Sequence, residues 1–142
     1  MGDEITFADV HAGVRHAIAT YTRALDHART EDVVATFCDD GGVDIPGLGT
    51  CTGHEALREA YAKVEPRWHQ RHLVLNTEIT EWTAAEARAT SDVVFILLGE
   101  KGWKIQLVGR YDDVLHHDLG TWRFHHRAAT FITADTPTPD TA

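Results

Sequence analysis

The sequence predicts an α+β fold in which helices at the front of the chain lie across a curved antiparallel sheet and close a pocket. The apolar period is helical up to Pro66 and alternating after it. The alternating stretches are long and are separated by short turn-like clusters, so the strands read as a meander of hairpins. Strands of that length cannot stay flat, because twist and bulges bend them. A bent sheet with helices over its concave side encloses a conical cavity, where a ligand would sit.

Residues 1 to 5 read as a frayed start. Thr6 and Asp9 form a capping-box-like pattern that opens the first helix, predicted from Phe7 to Ala28. Val10, Val14, Ala17, Ile18, Tyr21, Ala24, Leu25 and Ala28 recur at helical spacing and form its buried stripe. Thr30 reads as the N-cap of a short second helix through DVVATF, stopped by Asp39-Asp40-Gly41-Gly42. VDIPGLGTCTG is a small hairpin turning at Pro46-Gly47. A third helix, His54 to Lys63, carries Leu57, Ala60, Tyr61 and Val64 on one side and is ended by Pro66. The long strands are Trp68 to Glu81, Glu86 to Leu98, Lys104 to His116 and Thr121 to Ile132. Residues 1–134 are expected to form a single domain, with a polar, Pro-containing, disordered tail at 135–142.

At 142 residues the chain can bury roughly 70% of its unfolded surface without disulfides or metals. Thirteen basic residues stand against 22 acidic ones, a net charge of −9, which argues against nucleic acid or an anionic membrane surface as partner. No apolar run approaches the ~20 residues of a spanning helix. Cys38 and Cys51 read as reduced thiols, and the expected location is the cytoplasm. Ten histidines invite a metal reading, but the pairs His116-His117 and His125-His126 put adjacent side chains on opposite faces of a strand. No metal site is expected. Neither a Gly-rich phosphate loop nor a nucleophile elbow is present, so no cofactor is expected and proton transfer remains.

Asp26 follows Leu25 and so lies about 100° round the helix, at the margin of the apolar stripe. The segments YTRALDHARTEDVVATF, GLGTCTG, RHLVLNTEI, VGRYDDVL and GTWRFHHR, in that order, resemble the SnoaL-like branch of the NTF2-like superfamily over about residues 8 to 132. The resemblance implies the conical fold of that superfamily and a homodimer formed through the sheet face. In its dehydrochlorinase and scytalone dehydratase members, an aspartate ending the first helix pairs with a histidine opening the first long strand; Asp26 and His72 fall on those positions. Tyr21 matches a pocket tyrosine of the bile-acid dehydratase, and Arg127 an arginine of the dehydrochlorinase. The second tyrosine of the scytalone dehydratase pocket has no evident match, and its second histidine falls near Arg110.

An imidazole titrates near neutrality, so His72 is the natural base, with Asp26 fixing its tautomer. Tyr21 is either core packing or a phenol that donates to a substrate oxygen. Arg127 and Arg110 either face inward, where they could hold a carboxylate or an enolate, or outward as surface ion pairs, with Asp112 and Asp113 as neighbours of Arg110. Simple alternation puts His72, Val74 and Asn76 on one face; Asn76 could orient a substrate or satisfy a backbone group. Trp68 and His69 are placed at the pocket mouth, and Phe95, Leu97, Val108 and Phe131 along its apolar wall. The expected function is a cofactor-independent lyase of dehydratase type, or an isomerase or cyclase, that abstracts a proton from an apolar cyclic small molecule. The rivals are a non-catalytic binding module and a scaffold subunit of the same fold.

Overall fold

The computed structural model describes residues 4–139. Its elements are α1 (Phe7–Asp26), α2 (Thr30–Ala35), β1 (Phe37–Ile45), β2 (Gly49–Thr52), α3 (His54–Ala62), β3 (Gln70–Trp82), β4 (Glu86–Gly99), β5 (Gly102–Asp118) and β6 (Thr121–Ile132). The strands form one curved, open sheet in the order β2-β1-β6-β5-β4-β3. Neighbours are antiparallel except for β1, which runs parallel to β6. The long strands therefore follow the expected meander, and the β1–β2 hairpin extends it at one edge.

Helix α1 begins at a full capping box: the Thr6 hydroxyl accepts from the Asp9 backbone N–H, and Asp9 accepts from the Thr6 backbone N–H. It ends two residues before the expected Ala28, where that alanine takes a left-handed φ of 59° and leaves the stripe exposed. Val10, Val14, Ala17, Ile18, Tyr21 and Ala24 are buried against the sheet. The helix approaches β6 so closely that a Cβ on Gly13 would lie 2.3 Å from Trp122 Cδ1. Any larger residue there would have to displace the Trp122 ring or the helix itself.

Two expectations on local structure fail. Thr30 is not a cap: the cap position of α2 is Arg29, with no side-chain cap bond, and the Thr30 hydroxyl donates to Glu65 instead (2.6 Å). Asp39 to Gly42 do not end an element but lie within β1, across a register shift against β6. Gly41 is required there by crowding, since a Cβ would fall 2.7 Å from the Phe124 carbonyl oxygen. The tail has no helix or strand through residue 139, and the rest of the stretch expected to be disordered lies outside the described residues, as do residues 1–3 of the expected frayed start. No helix among the described residues is long and apolar enough to cross a membrane.

Candidate functional site

The last turn of α1 meets the start of β3, the strand at the sheet edge. There His72 Nδ1 lies 2.6 Å from Asp26 Oδ1, and the His72 backbone N–H donates to Asp26 Oδ2 (2.8 Å). Gln70, two residues earlier on the same face of β3, donates from Nε2 to Asp26 Oδ1 (3.1 Å). The carboxylate thus accepts three hydrogen bonds in a site where its side chain is 2% exposed. A carboxylate only accepts, so His72 Nδ1 donates to it, and in the neutral imidazole that leaves the lone pair on Nε2. The imidazole stacks on Phe95, ring centroids 4.5 Å apart.

His72 looks into a cavity of about 290 Å³ beneath the concave sheet face. Tyr21 and Leu25 from α1, Tyr61 and Val64 from the α3 end, and Gln70 line one side. The β1–β2 turn, Ile45 to Leu48, covers another, and Val93, Phe95, Leu107, Tyr111 and Phe131 form the sheet wall. The space is mostly apolar, sits at the lower end of the ~300–1,000 Å³ usual for small-molecule sites, and takes its polar groups from Gln70 and His72 and from the tyrosines Tyr21, Tyr61 and Tyr111.

The tyrosines belong to a connected cluster. The Tyr21 and Tyr61 hydroxyls are hydrogen-bonded at 2.7 Å. Behind Tyr21 lies Arg127, fully buried, its guanidinium carbon 4.5 Å from the Tyr21 ring centroid and 3.7 Å from that of Tyr111. Arg127 Nε donates to Asp113 Oδ1 (2.8 Å) and Nη2 to Oδ2 (3.2 Å), the fork geometry of a charged pair. Burial pushes the Asp113 carboxyl up against the pull of Arg127. Burial is the largest influence on Arg127 and opposes its charge, but the Asp113 charge and hydrogen bonds together with Tyr111 and Tyr21 outweigh it, and the guanidinium is held above its usual range.

Burial raises the phenols of Tyr21, Tyr61 and Tyr111 above the ordinary tyrosine value, Arg127 pulling the other way in each case. These are all three tyrosines of the chain. Because their folded values exceed the unfolded one, the stability they carry is whole below about pH 10 and drains away as the pH rises toward the folded values. Absorbance near 295 nm should therefore show no phenolate around pH 10, then a cooperative rise with unfolding. Half-ionisation of one phenol in the native protein near pH 10 would mean that it is not buried in this way.

The other expected site residues divide. Phe95 and Phe131 line the cavity. Trp68, 72% exposed, and His69 lie on the surface before β3 and do not reach it, because the strand turns inward only at Gln70. Asn76 is turned away by a bulge: it has φ 55°, the register shifts between Leu75 and Glu78, and its amide donates to Asp92 (2.7 Å) on the outer face. Val108 and Arg110 face outward because Leu107, Gly109 and Tyr111 hold the inward phase of β5. Arg110 pairs with Asp112 at 3.0 Å, while Asp113, on the opposite face, belongs to Arg127. Arg127 turns inward but sits behind the cavity wall. Gln70, Tyr61, Tyr111 and Asp113 were not picked out as site residues. Strand alternation from His72 would have found Gln70, and Tyr61 stands on the apolar side already read for α3.

A family profile described as a SnoaL-like domain matches residues 8–128. No curated protein matches the chain. Among solved structures, a variant of Rv3472, a protein of unknown function from Mycobacterium tuberculosis, is 25% identical with a TM-score of 0.80, over 87% of this chain and 72% of that one. A candidate scytalone dehydratase from Novosphingobium aromaticivorans is 22% identical with a TM-score of 0.76, over 91% and 89%. An NTF2-like protein with a cystatin-like fold from the same organism is 17% identical with a TM-score of 0.76, over 88% and 83%. The architecture is thus the NTF2-like cone.

Proposed function

Since the chain belongs to the SnoaL-like domain family, we propose that it is a cofactor-independent lyase of dehydratase type, or an isomerase or cyclase, acting on a small apolar cyclic molecule. The observation that carries this reading is the Asp26–His72 pair at 2.6 Å, with His72 on the wall of an apolar cavity and Asp26 behind it. His72 Nε2 takes a proton from a carbon next to a carbonyl, and Asp26 stabilises the imidazolium that forms. The hydrogen-bonded Tyr21–Tyr61 hydroxyls face the oxygen that gains charge. Their raised phenols make them hydrogen-bond donors and poor proton donors. In an elimination the leaving hydroxyl therefore takes its proton back from the His72 imidazolium: the C–H and C–O bonds break, the double bond forms, water departs, and the imidazole returns neutral. Isomerisation and ring closure share the first step. The free thiols Cys38 and Cys51 support placing this work in the reducing cytoplasm.

Deuterium exchange tests the shared step without a known substrate. Cyclic ketones and hydroxyketones that raise the melting temperature are incubated with the protein in D₂O, and NMR follows the α-carbon protons. Exchange that depends on His72 supports the reading; tight binding without exchange leaves a passive ligand module.

The outer sheet face supports a homodimer. Leu73, Leu75, Trp103, Ile105, Val108 and Ile132 are exposed on it, more apolar surface than scattered side chains would leave. Sedimentation should show a dimer that Ile105→Glu converts to monomer; a wild-type monomer at tens of micromolar would reject it.

A further inference from the structure

Gln70 opens β3 with only 7% of its surface exposed. Its amide nitrogen donates to Asp26 Oδ1 (3.1 Å), the same oxygen that receives His72 Nδ1 (2.6 Å). That bond fixes which way the amide lies. A carboxylate only accepts, so a flipped amide would set oxygen against oxygen. The amide oxygen, Oε1, is therefore turned from Asp26, and no donor among the described residues bonds it; the neighbouring Arg71 goes to the Gln70 backbone carbonyl instead.

The unpaired side-chain atoms sealed inside protein, among the described residues, are Thr22 Oγ1 and Arg127 Nη1. Gln70 Oε1 is unpaired without being sealed, so it opens onto free space. That space is the main cavity, whose lining includes Gln70 and leaves out Asp26. The two surface grooves behind Asp26, both lined by Arg71, leave out Gln70. An acceptor so nearly buried and without a donor costs free energy, which a donor on a ligand recovers. Because the heads of Gln70 and His72 converge on one carboxylate oxygen from the same face of β3, Oε1 and His72 Nε2 stand side by side as acceptors. The Tyr21–Tyr61 pair, one hydroxyl donating to the other, has one O–H left to give.

We propose that Gln70 is a specificity-determining residue of the main cavity: its Oε1 accepts from a hydroxyl of the ligand, so the site takes a hydroxylated ring compound over the ether or hydrocarbon of the same skeleton. A methyl ether has no hydrogen to give and displaces the water that could have given one, so it leaves Oε1 unpaired. Selection for the hydroxyl needs only the cavity and holds for a passive binding module as well. Where His72 abstracts a proton, the reading on which this clause rests, the selected hydroxyl lies within a bond or two of the carbon facing Nε2.

1-Indanol is the probe and 1-methoxyindane its match without an O–H. Neither has a C–H next to a carbonyl, so binding is read without turnover. The cavity, about 290 Å³, is nearly twice the ~150 Å³ that holds benzene, and it has room for this bicycle. Calorimetry on the full chain should show indanol bound at least about tenfold tighter than the ether. Gln70→Met should reduce that ratio at least about fivefold; both ligands are measured on each variant, so a general loosening of the cavity cancels. In the wild type, indanol should shift the Gln70 Cδ resonance and the ether should leave it in place. The proposal is overturned if the ratio survives Gln70→Met, if the Cδ resonance ignores indanol, or if indanol fails to bind at millimolar concentration. It is equally overturned if the ratio is lost in Tyr21→Phe and kept in Gln70→Met, which would put the hydroxyl at the tyrosine end. Loss of the proton-abstraction reading shows separately, as absent deuterium exchange with the indanol ratio intact.

Discussion

Asp113→Ala is expected to cost about 3–5 kcal/mol of folding stability, among the largest losses any single substitution in this chain should cause. Asp113 and Arg127 have side chains with no exposure at all, joined by two N–H···O contacts. Removing the carboxylate leaves a guanidinium that cannot neutralise itself in an apolar, aromatic surrounding. Its Nη1 already lacks a partner, so no spare acceptor stands nearby. The rings of Tyr21, Tyr111 and Phe124 around it, at 3.7 to 4.5 Å, give back part of that cost through cation–π attraction. For a chain of this length the loss corresponds to a fall in Tm of about 10–20 °C. Denaturant unfolding should show a lower midpoint with an unchanged slope. The double change Asp113→Leu with Arg127→Met should recover most of the loss, because a hydrophobic replacement removes both desolvation costs together. A single-variant loss below about 1 kcal/mol would mean that water reaches the guanidinium.

That pair also marks where sequence reasoning stopped. Asp113 lies three residues from Arg110 and 14 from Arg127, and proximity along the chain favours the nearer arginine. Strand parity decides otherwise, and parity on β5 is hard to read because apolar residues occupy both faces near its start: Leu107 looks into the cavity while Ile105 and Val108 lie outside. Asn76 fails for a related reason, since one bulge reverses the alternation that His72 and Val74 obey. Asp39 to Gly42 look like a turn because glycine and aspartate favour turns, yet Gly41 answers to the nearby Phe124 carbonyl, a contact no local pattern reveals. Signals of short range were legible. The Thr6–Asp9 box fixed the start of α1, the long alternating runs gave β3 to β6, and the helical stripe placed Tyr21 inside. The 2.6 Å approach of Asp26 and His72 could be stated in advance only through the family resemblance, since nothing local ties residues that far apart.

His72→Ala is expected to lower kcat on any substrate found by the exchange assay by about 10²–10⁴-fold, the usual contribution of a positioned general base. Ligand affinity should change far less, because Tyr21, Phe95, Leu107 and the β1–β2 turn still form the cavity. Asp26→Asn separates orientation from base strength. Asp26 acts as a two-oxygen acceptor: one oxygen takes the His72 Nδ1 proton and the Gln70 amide, the other the His72 backbone N–H. An asparagine has one carbonyl oxygen and one NH₂. If the oxygen meets the backbone N–H, the NH₂ faces Nδ1, the imidazole proton shifts to Nε2, and the group facing the substrate becomes a donor where a base is needed. If the amide turns over, two donors oppose each other at a 2.8 Å separation. Either way kcat should fall at least about tenfold, or 1.4 kcal/mol, with KM nearly unchanged. Replacing Gln70 with Leu removes one donor from the carboxylate without touching the tautomer, so its effect should be smaller than that of Asp26→Asn. Turnover that stays within tenfold of wild type in both His72→Ala and Asp26→Asn would remove proton abstraction by this pair and leave the cavity as a place where molecules bind unchanged.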